Sequence, residues 1–72
     1  MGADLTRLRE ELETRVQSRT GRRVRNLAIQ VSPEGVVLQG QAASYYIKQL
    51  AQHGVREYLP DVRLENTITV AR

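Results

Sequence analysis

A predicted β-hairpin at residues 27–40, which read LAIQVSPEGVVLQG, decides the fold. Apolar and polar side chains alternate on both sides of Ser32–Gly35, and a period of two is typical of strands with one buried face. Pro33 presets the backbone of the first turn position, and the glycine that closes the turn tolerates a positive φ. The pattern therefore predicts two antiparallel strands, over 24–31 and 36–41.

Helices are predicted on either side of this hairpin. Before it, apolar residues recur every three or four positions, which favours an amphipathic helix over 5–20 with Asp4 as its N-cap. After it, a second apolar stripe favours a helix over 45–59, capped by Ser44 and ended by Pro60. The predicted core-facing residues of the two helices are Leu5, Leu8, Leu12 and Val16, followed by Ile47, Leu50, Ala51, Gly54 and Tyr58.

Three glycines lie at positions that call for a small residue. Gly21 follows the first helix and is suited to end it. Gly40 is on the core-facing side of the return strand, where we expect a helix backbone to approach closely. Gly54 costs about 1 kcal/mol of helix propensity relative to alanine, and we expect a second close approach there.

The chain finishes with a fifth element, a strand predicted over 62–70 from its alternation. The order is then α-β-β-α-β, and each strand has one apolar and one polar face. This pattern predicts an α+β fold, a two-layer sandwich in which two helices pack on one face of a three-stranded sheet. The last strand must run parallel to the second, but it can pair with either of the other two. Asn66 interrupts its apolar face, and we expect that amide to bond to a nearby turn rather than to a ligand.

Composition limits what the chain can do. We expect one domain over 1–72, and the Met1-Gly2 start would also fit a domain excised from a longer chain. The sequence has no cysteine and a single histidine, His53, without neighbours to complete a metal site. Paired carboxylates, phosphate loops and nucleophile motifs are missing as well. We therefore predict a chain that is not an enzyme and uses neither a metal nor a cofactor, and we find no signal-peptide or membrane-spanning pattern.

The basic residues are unevenly distributed. The net charge is only +3, but no acid occurs between residues 15 and 25, a segment that holds several arginines. One interpretation is a basic surface for anionic headgroups; the other is that these arginines meet the helix dipole or solvent. The candidate binding residues in this segment are Arg15, Arg19, Arg22, Arg23 and Arg25.

Two adjacent tyrosines begin the second predicted helix. Tyr45 projects away from the apolar stripe, so we expect it to be exposed. Together with Tyr46 it could anchor at a membrane interface or in the groove of a partner. Ordinary packing around the helix end is the alternative.

Several short motifs resemble those of the BON domain, a module named after bacterial osmotically inducible and nodulation proteins. Residues 36–40, VVLQG, fit the family's V-x-L-x-G strand, and Gly35 fits the turn before it. Ala51 and residues 66–70, NTITV, fit as well. The chain departs from the family pattern where Gly35 directly precedes the strand and where 59–62, LPDV, replaces a small Gly-Val step.

The resemblance implies a non-catalytic module of the bacterial cell envelope, periplasmic or attached to a larger membrane protein. Its expected partners are anionic phospholipid or another envelope protein, with weak homo-oligomerisation as a further expectation. A protein-interaction or oligomerisation module is the alternative function, because the polar sheet face would be uncovered. Nucleic acid is disfavoured, since that face has no aromatic stacking platform and the chain has no G-x-x-G loop.

Overall fold

The computed structural model describes the backbone of residues 2–71 and the side chains of residues 5–71. It confirms the α+β sandwich, with both helices and one face of the sheet contributing to a single core. The sheet is mixed, and the predicted last strand forms two short segments. The elements in chain order are α1 (Gly2–Thr20), β1 (Val24–Ser32), β2 (Gly35–Ala42), α2 (Tyr45–Tyr58), β3 (Leu64–Asn66) and β4 (Thr69–Val70).

The central strand of the sheet is β2. It pairs antiparallel with β1 through the hairpin, and parallel with both β3 and β4 along its other side. The pairing partner that the sequence left open is therefore the second strand. Between β3 and β4, the backbone N–H of Thr67 donates to the carbonyl of Leu38 at 2.9 Å. The chain therefore stays bonded to β2 across the break between these two strands.

The break between β3 and β4 is stabilised by Asn66. Its Oδ1 accepts from the N–H of Ile68 at 3.2 Å, a local bond that competes with regular strand pairing. Its Nδ2 donates to the carbonyl of Lys48 in α2 at 3.0 Å. The amide is thus structural, as predicted, although it bonds to α2 and its own strand rather than to a turn.

The helix ends follow most of the predicted signals. Helix α1 begins at Gly2, so Asp4 lies within its first turn rather than at the N-cap. At the other end Gly21 has φ of +64°, and the N–H of Arg22 donates to the carbonyl of Gln17 at 2.8 Å, which is the bond of a glycine-ended helix. Ser44 caps α2 as predicted.

The core is wholly aliphatic. Two residues predicted to face it do not: Leu5 is 44% exposed and Tyr58 is 39% exposed. Leu5 lies beside β1 in a surface groove, and the Tyr58 ring packs under an arginine of α1 instead of against the sheet. The buried hydrophobic residues are Leu12, Val16, Val24, Ile29, Val36, Leu38, Ala42, Ile47, Ala51, Val55 and Ile68.

Gly54 allows the two helices to approach closely, as predicted. A Cβ at this position would lie 3.2 Å from the carbonyl oxygen of Arg15 and 3.4 Å from Cγ of Arg19. These distances are tighter than ordinary van der Waals contact, so α1 and α2 cross where a side chain would hold them apart.

The expectation for Gly40 was wrong, because its close neighbour is β1 and not a helix. A Cβ there would lie 2.9 Å from Cγ1 of Val24. The register of β1 shifts between Arg25 and Ala28 at a β-bulge, where Asn26 has φ of +53°. The bulge moves the backbone of β1 toward Gly40, which is why only glycine fits.

Candidate functional site

The five candidate arginines separate into groups with different surroundings. Arg15 and Arg19 lie where α1 meets α2, and we call their contacts with Glu57 and Tyr58 the helix seam. Nε of Arg15 is 3.1 Å from a carboxylate oxygen of Glu11, one turn earlier in the same helix. Its guanidinium carbon lies 4.2 Å from the centre of the Tyr58 ring, within the range of a cation–π contact.

Arg19 completes the helix seam by donating from Nη2 to the carboxylate of Glu57 in α2. The side chains of both residues are about half exposed, so this pair contributes little to the free energy of folding. Its effect on recognition is larger. Because Arg15 and Arg19 each have a carboxylate beside them, an incoming anion would have to displace that carboxylate.

Arg22 lies just after α1 and is exposed, with φ of +61°. It lines a groove of about 630 Å³ between α1 and β1 that also contains Glu13. A carboxylate in the same groove lowers the attraction that Arg22 exerts on an anion. The sequence could not show this, because Glu13 is more than two helical turns away along the chain.

Among the described residues, Arg23 and Arg25 have no carboxylate within ion-pair distance and none in the groove that they line. Both are exposed and line a groove of about 290 Å³ at the end of the sheet, which we call the sheet-end groove. The other described residues that line it are uncharged: Gln41, Ala42, Ala43 and Ala71. The register between β1 and β2 brings these lining residues together, since Arg25 of β1 lies opposite Gln41 of β2.

Exposed tyrosines follow the sheet-end groove in the chain. Helix α2 begins directly after Ala43 and Ser44, and its first residues, Tyr45 and Tyr46, are 63% and 66% exposed. The expected exposure of Tyr45 is confirmed. Tyr45 and Tyr46 therefore follow the groove residue Ala43 closely in the chain, although neither tyrosine lines the groove.

The sheet-end groove is suited to binding an anionic group. Arginine offers a planar array of N–H donors that matches phosphate oxygens, and tyrosine is favoured where an apolar phase meets water. Three of the residues that line the groove, Ala42, Ala43 and Ala71, have small side chains that leave it open. These alanines were not predicted to line a site. Their only signal in the sequence is that Ala42 and Ala43 are a pair of small residues directly after the strand predicted over 36–41.

The sheet face opposite the helices is uncovered, as predicted. Among the residues described, Gln30, Gln39, Glu65 and Thr67 point outward and are exposed, and no tyrosine is among them. In the same part of the chain, no three His, Asp or Glu side chains converge as metal ligands. Neither described helix has the length and apolar character that crossing a membrane would need.

Comparison with known proteins adds no relative. No family model matches the chain, and neither a curated protein nor a solved structure matches it. The BON resemblance thus stays a prediction that rests on short strand motifs.

Proposed function

We propose that the chain is a non-catalytic binding module that attaches to the anionic phospholipid surface of the bacterial cell envelope through the sheet-end groove. The supporting observation is that, among the described residues, no acidic residue lines the groove of Arg23 and Arg25, whereas Arg15 and Arg19 each contact a carboxylate and Arg22 shares its groove with Glu13. The exposed Tyr45 and Tyr46 supply side chains that prefer the headgroup region. The periplasmic location in this proposal rests on the BON resemblance alone.

The proposed attachment is weak for a single copy. A basic residue near an anionic bilayer contributes about 1 kcal/mol, so the two arginines together supply about 2 kcal/mol before the tyrosines are counted. Salt screens charges over about 8 Å at physiological ionic strength. Binding should therefore fall with added salt and rise when several copies act together.

The test is co-sedimentation with vesicles of phosphatidylcholine alone or mixed with phosphatidylglycerol. The variant Arg23→Glu/Arg25→Glu should lose binding about tenfold or more, since two attractive contacts become repulsive. The matched control is Arg7→Glu/Arg63→Glu, which changes the net charge equally at two other exposed arginines. If both double variants lose vesicle binding equally, or if binding does not depend on salt and anionic lipid, the sheet-end groove is not the contact.

A protein-interaction module is the second candidate function. The observation in its favour is the uncovered sheet face, which carries the charged Arg63 and Glu65 beside polar residues. If vesicle binding is absent while the chain is captured by an envelope protein through that face, this function replaces the first.

A further inference from the structure

The side of the molecule formed by α1 and β1 is open along its length. Strand β1 pairs only with β2, so its outer side is an edge of the sheet. Two grooves follow this side between the helix and the strand. Leu5 and Arg9 line one of them with residues 29–31, and Glu13 and Gln17 line the other with residues nearer the start of β1. We call this surface the α1–β1 flank.

The helical half of the flank is a stripe of residues spaced four apart: Leu5, Arg9, Glu13 and Gln17. Such residues share one face of a helix. Arg9 and Glu13 have opposite charges one turn apart, yet they form no ion pair with each other or with any other described residue. Leu5 is 44% exposed. The Oε1 atom of Gln17 is buried and accepts no hydrogen bond within the described chain.

The strand half of the flank carries no charge from Asn26 to Ser32. Natural proteins usually protect a free sheet edge with charges, proline or short strands, because an unprotected edge pairs with other chains. The opposite edge follows this rule: β3 and β4 are short and interrupted, with Arg63 directly before β3 and Glu65 within it. Strand β1 is longer than β3 and β4. Within its residues 26–32, the bulge at Asn26 is the one irregularity.

We infer that the α1–β1 flank is a self-association surface that takes a second copy of this chain, related by a two-fold axis that passes midway between Arg9 and Glu13 and close to Ala28. In one groove the first half of α1 lies beside the last half of β1, and in the other the second half of α1 lies beside the start of β1. The midpoints of the helix and the strand therefore lie at the same level. An axis there sets Arg9 opposite Glu13 of the partner subunit, and repeats the contact on the other side.

A second copy fits this surface because the surface is self-complementary. A two-fold interface requires each residue and its symmetry partner to suit one another. The stripe meets this condition for charge, and the uncharged residues 26–32 of β1 bring no like charges together. The apolar area is small, so the dimer is weak and its population depends on protein concentration.

The test is sedimentation equilibrium of the full chain from micromolar to millimolar concentration. Arg9→Glu and Glu13→Arg should each raise the dissociation constant about tenfold, because each places like charges together twice per dimer. The double variant Arg9→Glu/Glu13→Arg should restore association. An equimolar mixture of the two single variants should form a heterodimer, since all its cross-contacts are attractive.

Arg7→Glu is the matched control, since Arg7 is exposed and lies outside the stripe; it should leave association unchanged. Far-ultraviolet circular dichroism checks that every variant is folded. A chain that is monomeric throughout the concentration range overturns the inference. So do single variants that associate normally, or a mixture that forms no heterodimer. The flank shares no residue with the sheet-end groove, so this result and the vesicle result are independent.

Discussion

The helix seam and the sheet-end groove use the same residue type in opposite ways. At the seam, the guanidinium of Arg15 lies over Tyr58 with Glu11 beside it, and Arg19 bonds to Glu57. At the sheet end, Arg23 and Arg25 line a groove whose other described residues are uncharged. The comparison shows that a run of arginines in a sequence is not one surface. Tertiary packing engages some of these charges with the fold and leaves others available to a ligand.

The largest expected effect comes from forcing the helix seam apart. Gly54→Leu adds a side chain where even a Cβ would lie 3.2 Å from the Arg15 carbonyl oxygen. We expect a loss of about 2 to 3 kcal/mol in the free energy of unfolding, measured by urea denaturation. Gly54→Ala should lose less, because alanine regains about 1 kcal/mol of helix propensity. A Gly54→Leu variant as stable as the native chain would mean that the helices do not cross there.

A moderate effect is expected from removing the charge of Arg15. Arg15→Met keeps an unbranched side chain but removes the contacts with Glu11 and Tyr58, and we expect a loss of about 1 kcal/mol. Thermal and urea unfolding measure it. Vesicle binding by this variant should stay within about twofold of native, since the seam is outside the proposed contact. A large loss of binding with native stability would place Arg15 in the binding surface and end the distinction between the two regions.

The smallest effect is expected at the sheet end. Arg23→Gln/Arg25→Gln should change the free energy of unfolding by no more than about 0.5 kcal/mol, because neither side chain bonds to another residue in the part of the chain that the structure describes. The same unfolding experiment as for Arg15→Met makes the two regions directly comparable. Marked destabilisation would show that these arginines stabilise the fold and would weaken their assignment to a ligand.

Much of the fold follows from local signals in the sequence. The hairpin around Pro33, the cap at Ser44 and the glycine at the helix crossing each depend on residues near in the chain or on a simple period, and each was predicted. The bulge in β1 was not. Val24 and Ile29 are both buried although they are an odd number of residues apart, which a regular strand does not allow. That odd spacing is the signal that could have revealed the bulge.

The candidate site was predicted only in part, for a physical reason. The arginine segment and the exposed Tyr45 could be identified from pattern and charge. Which arginines remain available depends on Glu57, which the sequence places far from Arg19 but the helix crossing brings next to it. The break after Asn66 likewise depends on Lys48 in another element. Contacts of this kind depend on the packed fold and leave no local pattern.

The distribution of aromatic residues has a practical consequence for how this molecule is observed. The chain has three tyrosines and neither phenylalanine nor tryptophan, and Tyr45, Tyr46 and Tyr58 all lie on the surface. Near-ultraviolet absorption and intrinsic emission therefore come entirely from the outside of the protein. A change in tyrosine emission on adding a ligand reports contact with the surface. Disruption of the aliphatic core must instead be measured from the signals of the backbone amides.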